Sequence, residues 1–81
     1  MEEFVSGRIV RSKAGRDKGL FLAVAGASGK HVLLSDGKRR PLGRPKQKNP
    51  CHIALTNSFL PPEEMATDRA LRRALKRFDG N

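Results

Sequence analysis

The sequence predicts a mainly β fold: a small, curled, five-stranded barrel followed by one C-terminal α-helix. Three observations carry this. Short apolar runs with β-branched residues recur between residues 4 and 57, separated by glycine, proline and Asp-Gly turn signals. Pro61-Pro62 then breaks that pattern, and the apolar spacing changes to a helical repeat. The chain has 81 residues, of which 37% are hydrophobic, so it makes one domain with a small core; such chains bury only about 60% of their unfolded surface. Closure of the sheet is expected, because it hides edges that a small sheet otherwise exposes.

Taken in order, residues 4–12 read as the first strand. Val5, Ile9 and Val10 favour extended backbone, and Gly7 marks a bulge or a close backbone approach. Residues 13–19 form a glycine-bracketed polar loop. Residues 20–25 are a continuous apolar run, short enough for a buried strand. Residues 26–29 are a turn, and residues 31–34 are the third strand. Asp36-Gly37 is a strong hairpin signal, leading to a short fourth strand over residues 39–42 that Pro41 confines to an edge or a strand end. Residues 43–50 are a basic loop punctuated by proline, and residues 52–56 alternate as a fifth strand.

The barrel therefore takes residues 1–57. Residues 58–81, a proline-containing linker and a helix at 67–78, belong to the same domain. Thr67 is the expected N-cap, Asp68 sits in the first turn, and Lys76 and Arg77 sit in the last. Leu71, Leu75 and Phe78 recur at i, i+4 and i+7, with Ala70 and Ala74 beside them. Asp68 and Arg72 are an i, i+4 pair, and Asp79-Gly80 ends the helix. Three turns are marginal alone in water, so the helix is expected to dock, either capping the open end of the barrel or meeting a partner protein or RNA.

Charge points to a partner. The formal net charge is +9, with 17 Lys and Arg against 8 Asp and Glu. Residues 7–48 hold twelve cations and only two acids, Asp17 and Asp36, whereas residues 61–81 hold five cations and four acids. A polyanion site is thus expected in the first two-thirds of the chain, and nucleic acid is the commonest polyanion for a small basic domain. One cluster is Lys13, Arg16 and Lys18 with Gly15. The other is Lys38, Arg39, Arg40, Arg44, Lys46 and Lys48, six cations in eleven residues with no acid. Such contacts set affinity and salt dependence rather than base sequence. With no Trp or Tyr, and with Phe4, Phe21, Phe59 and Phe78 each read as core, structured RNA met through backbone and shape fits better than a stacked single strand. Arg39 or Arg40 retains the capacity to stack on a splayed base.

The stretch Val5-Ser6-Gly7-Arg8-Ile9-Val10-Arg11-Ser12-Lys13-Ala14-Gly15-Arg16-Asp17-Lys18-Gly19-Leu20-Phe21-Leu22-Ala23-Val24 resembles the KOW motif of ribosomal proteins and of NusG-type elongation factors. In it, Gly15 and Gly19 permit positive φ and a close approach to a partner, and Asp17 is expected to tie the turn through its own backbone. Residues 35–42, Arg44-Pro45-Lys46-Gln47-Lys48-Asn49, His52-Ile53 and Thr56-Asn57 extend the likeness. The chain is similar over residues 4–57 to small bacterial KOW-domain RNA-binding proteins, which are themselves similar to KOW-type large-subunit ribosomal proteins; the helix has a counterpart there. The resemblance implies an SH3-like barrel and association with RNA, foremost ribosomal RNA of the large subunit, with ribosomal proteins as further partners. One departure is Ala23, Ala25 and Ala27 where relatives often continue with β-branched residues, which predicts looser packing of the second strand.

No catalytic or cofactor chemistry is expected. Neighbours on a strand point to opposite faces, so Cys51 and His52 cannot share a metal ion there, and His31 is the only other good ligand. Cys51 with His31 lacks a shielded site, and Glu63-Glu64 reads as a helix-starting or exposed acidic pair. Gly26-Ala27-Ser28-Gly29-Lys30 imitates the end of a phosphate-binding loop without its spacing. A lone cysteine and an acidic, non-apolar N-terminus predict a cytoplasmic protein with no signal peptide and no membrane span. The expectation is a non-catalytic RNA-binding protein. The alternative is a protein-interaction KOW module of the transcription or translation machinery. Unspecific DNA binding and a membrane surface follow.

Overall fold

The computed structural model describes residues 4–78; the expected helix stop at Asp79-Gly80 and the acidic opening at residues 1–3 lie outside them. The elements are β1 (Arg8–Ser12), β2 (Phe21–Ser28), β3 (His31–Ser35), β4 (Lys46–Lys48), β5 (Ile53–Phe59) and α1 (Asp68–Leu75). The strands form one antiparallel sheet in the order β4-β3-β2-β1-β5. The sheet is open rather than closed: β4 and β5 are its two edges.

Several boundaries differ from the sequence expectation. The first strand starts at Arg8, because Ser6-Gly7 is a turn closed by the Arg8 N–H on the Val5 carbonyl. Gly7 is the expected close approach: a Cβ there would stand 2.8 Å from the Leu60 carbonyl oxygen. The second strand runs on to Ser28, since a bulge at Ala25 restores its pairing with β3. The expected fourth strand at residues 39–42 does not form; β4 is Lys46–Lys48 instead. Asp36 Oδ1 accepts the Lys38 and Arg40 N–H groups, both at 2.8 Å, which curls that segment into a turn, and Pro41 has no N–H for a ladder. Pro50–His52 is a short 3-10 turn leading into β5, so Cys51 and His52 are exposed turn residues rather than strand neighbours.

Both faces of the sheet are buried. Val10 opposes Leu22, and Val24 opposes Leu34; directly opposed residues share a face. Those four join Val32 and Ile53 in one cluster, at most 6% exposed, with Phe4 packed against it. No second layer covers this cluster among the described residues, so the sheet curls around it. Ile9 opposes Ala23 on the other face, where Leu60 and the α1 residues Leu71, Ala74 and Leu75 complete a second cluster. The helix therefore covers the outer face of the sheet rather than the mouth of a barrel. Ala23 is fully buried beneath it, Ala25 is half-buried and Ala27 is exposed.

The helix begins where expected, with Thr67 Oγ1 accepting the Ala70 N–H at 3.1 Å. Its last turn, Lys76–Phe78, is 3-10. Phe21 and Phe78 sit 6.1 Å apart, packed on the second cluster. Phe59 departs from its expected core role: it is 54% exposed, with the Arg8 guanidinium 4.9 Å from its ring centre. No helix among the described residues is long and apolar enough to cross a membrane, and no group of three His, Cys, Asp or Glu could hold a metal ion.

Candidate nucleic-acid interface

The loop between β1 and β2 is closed at its base by reciprocal hydrogen bonds, Ser12 N–H to Leu20 O and Gly19 N–H to Ser12 O. Gly15 and Gly19 both adopt positive φ, at +84° and +88°. Asp17 ties the turn as expected through its backbone, its carbonyl accepting the Leu20 N–H at 2.9 Å, while its side chain reaches further. Its Oδ1 accepts from the Ser12 hydroxyl at 3.0 Å and from Lys48 Nζ at 2.9 Å, and Oδ2 lies 3.6 Å from Lys46 Nζ. Lys48 Nζ also donates to the Ala14 carbonyl at 2.9 Å.

The register explains this convergence. Lys46 opposes Leu34 and Lys48 opposes Val32, so both side chains lie on the inner face while Gln47 points out. Lys48 is only 8% exposed. Its ammonium is a structural pin between β4 and the loop, which corrects its expected role as a phosphate contact; Lys46 is drawn to the same carboxylate. Burial pushes the Asp17 carboxyl up, but hydrogen bonds from Lys48 and Ser12 and the charges of Lys48 and Lys46 outweigh it. The carboxyl is held below the ordinary aspartate value.

The second basic segment is positioned by Asp36 and Gly37. Ser35 Oγ and the Asp36 and Gly37 N–H groups all donate to the Arg40 carbonyl. Gly37 has φ +76°, and a Cβ there would run into the Asp68 carbonyl oxygen and the Arg72 nitrogen. The turn thus lies backbone to backbone on the first turns of α1. Asp68 Oδ1 accepts the Leu42 N–H at 2.6 Å, which fastens the same segment again. The expected Asp68–Arg72 ion pair is absent among the described residues.

These contacts create two adjoining cavities. One, of about 220 Å³, is lined by Arg16, Asp17, Leu20, Leu22, Asp36, Arg39 and Arg40. The other, of about 310 Å³, shares Leu20, Asp36 and Arg39 and continues over Phe21 and Lys38 to Arg72, Leu75 and Lys76. The β1–β2 loop and the 36–40 turn therefore share one rim. Arg16, Lys38, Arg39 and Arg40 are brought together. Lys13, Gly15, Lys18 and Arg44 are exposed but line neither cavity.

Arg72 and Lys76 were hidden by the near-neutral charge of the tail. Two of its acids are engaged elsewhere: Glu64 pairs with Arg77 at 3.0 Å and Asp68 holds the Leu42 N–H. Two cations four residues apart are left on one exposed helix face. The basic surface is thus not confined to the first two-thirds of the chain. Helical spacing, with Asp68 read as a cap-region acceptor, was the signal available for them. No protein-family model and no curated protein matches the chain.

Proposed function

We propose that the chain is a cytoplasmic, non-catalytic RNA-binding protein, a KOW-type SH3-like barrel that contacts structured RNA, foremost ribosomal RNA of the large subunit. The observation that carries the reading is the cationic groove. Arg16, Arg39 and Arg40 come from segments more than twenty residues apart and meet along one rim. Each acid that lines the groove is already engaged, Asp17 by Lys48 and Asp36 by two backbone N–H groups. The field there stays positive because Lys48 balances Asp17 and three arginines outnumber Asp36, and guanidinium forks suit phosphate oxygens. The glycine-bracketed loop and the antiparallel strand order are compatible with the KOW resemblance. Sedimentation of lysate through sucrose tests the reading: the protein travels with large ribosomal subunits at low salt and leaves them at high salt or after ribonuclease. Migration at the top of the gradient in every condition overturns it.

A second reading, a protein-interaction KOW module, has its own support. Phe59 and Leu55, 54% and 40% exposed, stand on β5, an edge strand. A protein partner retained after ribonuclease, with no RNA recovered, favours this reading.

A further inference from the structure

The larger cavity differs from a simple phosphate track. Four of its exposed lining residues are cations: Lys38, Arg39, Arg72 and Lys76. Between them lies apolar surface, from Leu20, 44% exposed, to the half-buried ring of Phe21. Phe21 is braced by the Arg11 guanidinium at 5.7 Å and by Phe78. Its one acid, Asp36, is occupied by the Lys38 and Arg40 N–H groups. Arg72 and Lys76 make no ion pair among the described residues.

A paired duplex uses only the cations of such a surface, because its bases are stacked away from the protein. An unpaired nucleotide offers both chemistries at once, a flat apolar face and flanking phosphates. The volume, about 310 Å³, stands at the low end for small-ligand sites, which suits one nucleotide rather than a run of them. Resting on the RNA reading above, we infer that this cavity receives a single unpaired nucleotide of a structured RNA, its base against Leu20 and Phe21 and its flanking phosphates on Arg39, Arg72 and Lys76. The C-terminal helix is then part of the binding surface as well as a cover for the sheet.

The test uses three RNA hairpins with the same stem: fully paired, carrying a one-nucleotide bulge, and carrying an abasic bulge. All four bases are tried at the bulge, and binding is read by fluorescence anisotropy. At least one bulged RNA binds roughly tenfold tighter than both the paired and the abasic hairpins. In Leu20→Ser that ratio falls to near one, with the thermal melt unchanged because Leu20 is exposed. In Arg72→Ala/Lys76→Ala the bulged RNA weakens more than the paired one. Equal affinity for all hairpins in the wild-type protein overturns the nucleotide pocket and leaves the RNA reading standing. No binding to any hairpin at low salt overturns both.

Discussion

Lys48 shows how much a single side chain's direction matters. In the sequence it is one of six cations in a basic run; in the fold its ammonium holds Asp17 and the Ala14 carbonyl beneath the β1–β2 loop. Removing one partner of a buried ion pair strands the other charge. Lys48→Met is therefore expected to destabilise the fold by about 3 kcal/mol, or roughly 15 °C in the thermal midpoint by calorimetry. Asp17→Asn/Lys48→Met recovers part of that loss. The pH dependence follows from the lowered Asp17 carboxyl. Its folded value lies below its unfolded one, so its stabilisation is complete above about pH 5 and is lost as pH falls through the folded value, below about 3.9. Urea unfolding at pH 7 and pH 3 checks this: wild type loses more stability than Asp17→Asn, and equal losses contradict the assignment. Residue type and charge density alone could not separate Lys48 from Arg39. The alternation of Lys46-Gln47-Lys48 could have done so, had the segment been read as a strand.

Among the elements, the 36–40 turn and α1 depend on each other. Gly37 lets the turn lie against the Asp68 carbonyl, and Asp68 in return holds Leu42. Gly37→Ala introduces both backbone strain and a clash. It is expected to cost at least 1–3 kcal/mol in chemical denaturation and to weaken RNA binding by moving Lys38 and Arg39 away from Arg72. Thr67→Ala removes the cap on Ala70 and is expected to cost about 1 kcal/mol in the same measurement. The helix and its cap were legible because capping and apolar spacing are local signals. β5 was legible for the same reason, through its alternation. The fourth strand was misplaced because Asp-Gly is a hairpin signal only when the next residues can extend. Here the Asp36 carboxylate captures two of their N–H groups and Pro41 supplies none. Where α1 docks was not legible at all, since an amphipathic face does not say which surface it covers.

At the scale of the molecule, the sheet curls around its inner cluster and needs separate cover on its outer face. The outer cover is the same helix that carries Arg72 and Lys76 to the groove. Stability and the candidate site are thus joined through α1. The sequence showed that the molecule is basic and which two segments hold most of its cations. It did not show that Asp68 is engaged by the Leu42 N–H, because summing charge along a segment ignores which side each charge faces. The central claim is that the groove binds the RNA backbone, and the most direct measurement is the salt dependence of affinity for a structured RNA. Each lost phosphate contact lowers the slope of log affinity against log salt by about one. Arg39→Ala/Arg40→Ala is expected to reduce that slope by about two with little change in melting temperature. Lys48→Met, measured where it is folded, keeps the wild-type slope although its melting temperature falls. An unchanged slope in Arg39→Ala/Arg40→Ala, with affinity intact, would contradict the account and remove the groove as the RNA interface.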